Sequence, residues 1–195
     1  MKIEKYQYPH SSFLSVEKDA AIIVEWLMKN KRLQKMLWYQ SEDCLEQDPL
    51  TPEQVGQLFG DYIRIVPKIQ IDSEVKTYIV IVFDNFVPND TNPQFRDNTI
   101  RFDIVCHFDT WQLKDFELRP FKIAAEIDSM FNNKRLTGIG TLQFAGAKRI
   151  VLNNKFAGIS LFYDAIHGGE DNFGQPNPAN EEQFREDFNE LFNEE

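Results

Sequence analysis

Side chains capable of chemistry are sparse in this sequence. Its histidines are His10, His107 and His167, and its cysteines are Cys44 and Cys106. The adjacent pair Cys106-His107 would suit a thiol nucleophile and its base, provided both side chains reached one point. They fall within residues 99–108, where apolar and polar residues alternate as in a strand. Neighbours on a strand project from opposite faces, so the pattern gives a core cysteine beside a histidine that faces solvent or a partner. The stretch His167-Gly168-Gly169-Glu170-Asp171 offers one nitrogen and two carboxylates. It lacks a second histidine and the ligand spacing of zinc or calcium loops, and reads as the loop leaving the main domain. Gly138-Ile139-Gly140 lacks the third glycine of a phosphate loop and reads as a turn. No GxSxG, HExxH or Walker segment occurs, and no carboxylate pair is marked as an acid and base. The expectation is a protein without catalytic residues, cofactor or metal.

Two features suit binding instead. Arg119 stands between Leu118 and Pro120 at a helix start, where the helix dipole disfavours a cation. It either pairs at the surface with Asp115 or Glu117, or makes an ion pair across a subunit boundary. Near the C-terminus, Phe184, Phe188, Leu191 and Phe192 recur at helical spacing, with carboxylates on most of the other face. A helix of about 12–14 residues is marginal alone in water, and such a stripe needs a cover. The segment folds back on its own body, docks on a neighbour or partner, or stays disordered; its Gly/Pro linker gives it reach.

Charge is distributed unevenly. The chain of 195 residues carries a formal net charge of −10. From residue 165 onward nine acids face one base, Arg185, so eight of those negative charges sit in the tail. Neither part has the basic footprint of a nucleic-acid reader. Apolar residues make up 42% and include 17 phenylalanines, ample for a packed core. Two cysteines in dissimilar settings suit a reducing compartment. No apolar run approaches the roughly 20 residues of a membrane span, and no secretory h-region is visible.

The positioning elements follow from periodicity. Residues 1–16 read as an aromatic-bearing arm with Tyr6, Tyr8, Phe13 and Leu14. A helix is expected over 15–39, and a short one after Thr51-Pro52-Glu53-Gln54, ended by Gly60. Strands are expected over 62–71, 75–83 and 99–108, with Pro67 marking an edge or bulge in the first. A helix over 119–131 follows, then strands near 141–144, 149–152 and 156–163. Grouped helices and strands predict an α+β fold: a mixed, mainly antiparallel sheet packed by two main helices, with extended arms at both ends. The organisation is an arm over 1–16, a core domain over 17–166, and a linker with an acidic amphipathic helix over 167–195.

Between Tyr62 and His167 the pattern resembles the head-to-tail connector and tail-terminator (tail-completion) proteins of tailed bacteriophages. The resemblance rests on YIRIVPKIQI, VKTYIVIVF, NTIRFDIVCHFDTW, LRPFKIAAEIDSMF, GIGTLQF and FAGISLFYDAIHG, after the leading helix. It implies a structural virion protein, assembled in the host cytoplasm, that forms a homo-oligomeric ring, often hexameric. The ring would bind neighbouring neck or tail proteins, let DNA pass without specific contact, and have no membrane partner. Acidity fits that role, because a lumen that repels phosphate does not hold the DNA. On this reading Arg119, Phe184, Phe188, Leu191 and Phe192 are interface residues. Two other readings remain: an adaptor that binds a partner through the C-terminal helix, and a small enzyme with an unrecognised site.

Overall fold

The computed structural model describes residues 16–66, 74–88, 90, 95–136 and 140–168. Two helices open it, α1 (Val16–Lys29) and α2 (Lys31–Trp38). The single helix expected over 15–39 is broken at Asn30, whose backbone is extended and whose side-chain oxygen accepts from the N–H of Arg32 and of Leu33, each at 3.0 Å. A short amide caps a new helix better than it continues an old one. Ile23, Leu27, Leu33 and Leu37 nevertheless join one core, so the apolar stripe runs unbroken through the cap.

Helix α3 (Pro52–Asp61) starts as its sequence requires, with Thr51 and Gln54 forming a reciprocal capping box. Phe59 leaves helical geometry and Gly60 adopts φ +93, a region glycine enters without steric cost. Helix α4 (Arg119–Phe131) has Pro120 in its first turn.

The strands are β1 (Ile63–Ile65), β2 (Thr77–Pro88), β3 (Phe95–His107), β4 (Arg135–Leu136), β5 (Gly140–Thr141), β6 (Gln143–Val151) and β7 (Phe156–Gly168). Five form one sheet in the order β1-β2-β3-β7-β6; β1 and β2 run parallel and the other pairs antiparallel. β4 and β5 make a separate two-stranded ribbon. The fold is α+β, with a mixed and mostly antiparallel sheet. Residues 67–73 and 137–139, including Pro67, Gly138 and Ile139, lie outside the described residues.

Residues Thr77 to Val82 are buried on both faces, as their continuous apolar run requires. On one face Ile79, Ile81, Ile100, Phe102, Ile104 and Tyr163 meet α1, α2 and α4. Phe102 stacks on Phe131 with centroids 5.1 Å apart and meets Tyr163 edge-on. On the other, Tyr78, Val105 and Phe156 form a smaller cluster with Ile150 against it. At Gly158 a Cβ would lie 1.7 Å from the Ile104 carbonyl oxygen, so β7 can approach β3 there only as glycine.

Two expectations change. Residues 141–152 hold one main strand, β6, with a bulge between Phe144 and Gly146 that absorbs the low-propensity Ala-Gly-Ala stretch. His167 belongs to β7, where its backbone pairs with Arg96, and is not part of an exit loop.

Candidate functional site

The groups that first suggested chemistry are placed apart. Cys106 is buried in the main core, and burial pushes its thiol up to about 12, so it stays protonated and unreactive. His107 is buried too, a correction to the solvent-facing or partner-facing placement. Its ring meets Phe156 edge-on at 4.9 Å, and its Nδ1 accepts from the Asp109 N–H at 3.2 Å. The face it shares with Arg101 and Asp103 is partly closed over, which alternation alone does not reveal.

On that face Asp103 accepts from Ser160 Oγ and from Arg101 Nε at 3.1 Å, while Arg101 Nη1 reaches Asp84 at 2.9 Å. The carboxylate is fully engaged. His107 stands four residues along β3 from Asp103, about 13 Å away, so it is not placed as a base for Ser160. Among the described residues no group of three His, Cys, Asp or Glu is gathered to hold a metal ion, and no helix is long and apolar enough to cross a membrane.

Arg119 corrects both expectations made for it. It is 0% exposed and pairs with neither Asp115 nor Glu117. Its Nε donates to the Thr110 carbonyl at 2.7 Å. Nη1 donates to Met36 and Tyr39 at 2.6 and 2.8 Å, and Nη2 donates to Ser41 at 2.7 Å. Met36 and Tyr39 lie at the C-terminal end of α2, where carbonyls lack intrahelical partners and favour a cation. The dipole penalty at the start of α4 is thus offset at the end of α2. Burial pulls the guanidinium's pKa down, as it pushes the nearby Cys44 thiol up. Turned inward, this side chain has no face left for another subunit.

What Arg119 holds is more telling. Residues 111–119 form a small hairpin: Gln112 bridges Leu118, the Leu113 N–H donates to the Glu117 carbonyl, and the Arg119 N–H donates to the Trp111 carbonyl. Lys114 ties the turn to the body through its N–H on the Glu42 carbonyl and its Nζ on Glu46. At the tip Asp115 and Phe116 take φ +57 and +63. Aspartate tolerates that conformation, whereas a bulky phenylalanine there is strained. Phe116 is also 89% exposed. Phe108 and Leu118 are exposed on the same segment, as is Phe121 in the first turn of α4.

Phe116 is thus a greasy ring held in a costly backbone conformation and shown to solvent. The hairpin was not singled out from sequence. Its one signal was Lys114-Asp115-Phe116-Glu117, an aromatic residue inside an otherwise charged turn. A second exposed surface is the edge strand β6, with Phe144, Val151, Lys148 and Arg149 all accessible. The proposed tail residues Phe184, Phe188, Leu191 and Phe192 lie outside the described residues, as does the N-terminal arm.

No curated protein matches the chain. The family YomW matches residues 30–165, from the cap of α2 to Ala165 in β7, and so includes the hairpin and all of the five-stranded sheet but the last three residues of β7. The family is phage-derived, in keeping with the wider resemblance to phage proteins read from the same stretch. On that match, which covers well over half of its length, the chain belongs to the YomW family of phage-associated proteins.

Proposed function

We propose that this protein is a non-enzymatic structural component of a phage particle, assembling with copies of itself into a ring at the neck or tail. The ring joins capsid-side proteins to the tail, or closes the tail tube, and lets DNA pass. The observation that carries this reading is Phe116: almost wholly exposed, on strained backbone, at the tip of a hairpin whose base is held by a buried arginine. Strain of this kind persists where a partner uses it.

Membership of a phage-derived family supports the setting. The electrostatics support the passive role toward DNA, because a chain of net charge −10 neutralises few phosphates. The edge strand supports a closed assembly over a two-fold dimer. Antiparallel pairing of β6 with another β6 would set Lys148 and Arg149 of both copies close together, which like-charge repulsion opposes. Contacts between unlike surfaces are the kind that close into rings.

The test is imaging of the purified full chain by negative-stain electron microscopy, alone and with extracts of induced phage particles, alongside peptide mapping of purified particles. Annular oligomers and a place in the particle are expected. A chain that stays monomeric with its phage neighbours and is missing from mature particles would end the proposal.

A further inference from the structure

Strand β6 borders the helical layer without being covered by it. Phe144 pairs with Tyr163, Ala147 with Leu161 and Arg149 with Ile159, so these β6 residues share the face on which the helices lie. Helix α4 runs beside them. Its Asp128 accepts from Tyr163 Oη at 2.9 Å, and Asn132 just past its end accepts from the Phe144 N–H at 3.2 Å. Those bonds turn the side of α4 that carries Phe121, Ala125 and Asp128 toward β6. Phe121 is 55% exposed, Phe144 45% and Val151 56%, and Ala125 and Ala147 are exposed with them. Helix and strand thus frame an apolar shelf that no described element covers.

The shelf lies in the basic part of the chain. Between residues 129 and 168 the bases are Lys134, Arg135, Lys148, Arg149 and Lys155, and the one acid is Asp164. All five bases are exposed, and none makes an ion pair with another described residue. Arg149 rises from the shelf itself. Lys134 and Arg135 stand by the start of β6, and Lys155 stands in the turn after its end.

We infer that residues 180–195 of the same chain dock on this shelf as an acidic amphipathic helix, with Phe184, Phe188, Leu191 and Phe192 against Phe121, Phe144 and Val151. These residues lie outside the described ones, and the contact is argued from charge, pattern and reach. From residue 169 onward nine acids accompany one base, the complement of the basic flank. The apolar residues recur at helical spacing, so one face suits the shelf and the other carries the carboxylates. The described chain ends at Gly168, on the strand to which β6 is bonded. Phe144 lies beside Tyr163, five residues back and about 17 Å from that end. Residues 169–179, eleven in all, reach about 18 Å as a coil. The sixteen residues that follow span about 24 Å as a helix, against about 27 Å for β6. Glu181 and Glu182 then fall near Lys134, and Glu194 and Glu195 near Lys155. So short a tether favours its own shelf over that of another copy at micromolar concentration. The contact stands whether or not copies of the chain form a ring. Docked there, the segment screens cations that would otherwise attract nucleic-acid phosphate.

Zero-length carbodiimide cross-linking of the full-length chain tests this, read by mass spectrometry on an equimolar mixture of light and nitrogen-15 protein. Lys155 should join Glu194 or Glu195, and Lys134 should join Glu181 or Glu182, in pairs of a single isotope. Hydrogen exchange is the second measure. Amides of residues 184–192 should be protected, and Phe188→Ser should lower that protection about tenfold, as loss of an interface anchor does. Cross-links chiefly between light and heavy chains overturn the contact, because the segment then reaches a second copy. Unprotected amides in the wild type overturn it too. So does a Phe188→Ser chain with unchanged protection and cross-links, since charge alone would then hold the segment. None of these outcomes bears on the ring, which particle imaging judges separately.

Discussion

Arg119 and Phe116 are three residues apart and make opposite use of their surroundings. The arginine, the residue type expected in water, is wholly enclosed and spends its donors on four backbone carbonyls. The phenylalanine, the type expected in a core, is almost wholly in solvent on a backbone that disfavours it. The difference separates what stabilises this molecule from what it presents. Arg119 joins the end of α2, the 39–46 segment and the base of the hairpin into one unit. The rigid unit then fixes where Phe116 points, and a preorganised anchor loses less entropy on docking.

The largest effect should come from breaking the staple. Arg119→Met removes every donor and leaves the carbonyls of Met36, Tyr39, Ser41 and Thr110 without it, a loss of about 3–5 kcal/mol by urea unfolding. Arg119→Lys should restore less than half, since one ammonium cannot reproduce the fork. A loss below about 1 kcal/mol would show that Arg119 is incidental.

That contrast also marks how far the sequence could be read. Strands with clear alternation, a capping box at Thr51 and Pro120 in the first turn were legible, because each is a local signal with a local cause. So was the grouping of elements into an α+β fold. Arg119 shows its misfit with the dipole of α4 in the local sequence, but its place in the fold is not written there. Its partners come from α2 and the segment after it, some eighty residues earlier, and no local pattern reports them. His107 failed similarly, since what closes over the second face of the sheet is tertiary. Phe116 was invisible because exposure and φ are properties of the folded chain.

A smaller effect is expected at the other end of α2. Asn30 caps it and also donates to Glu126 on α4 at 3.0 Å. Asn30→Ala should cost about 1 kcal/mol, the worth of a cap, and leave the C-terminal end held by Arg119. Hydrogen exchange would then quicken in residues 31–34 while amides near Tyr39 keep their protection. Equal loosening at both ends would mean that α2 frays as a unit and the staple does not anchor it.

The smallest change should be a gain. Replacing Phe116 by glycine relieves a left-handed conformation worth about 1–2 kcal/mol for an ordinary residue, against a backbone entropy cost of about 0.5–1 kcal/mol in the unfolded chain. No packing is lost, because the ring is 89% exposed. The variant should therefore unfold at slightly higher urea, by about 0.5 kcal/mol, while self-association falls. A residue kept only for folding would show the reverse order, with stability lost and assembly untouched. Gain of one with loss of the other is the mark of strain retained for binding.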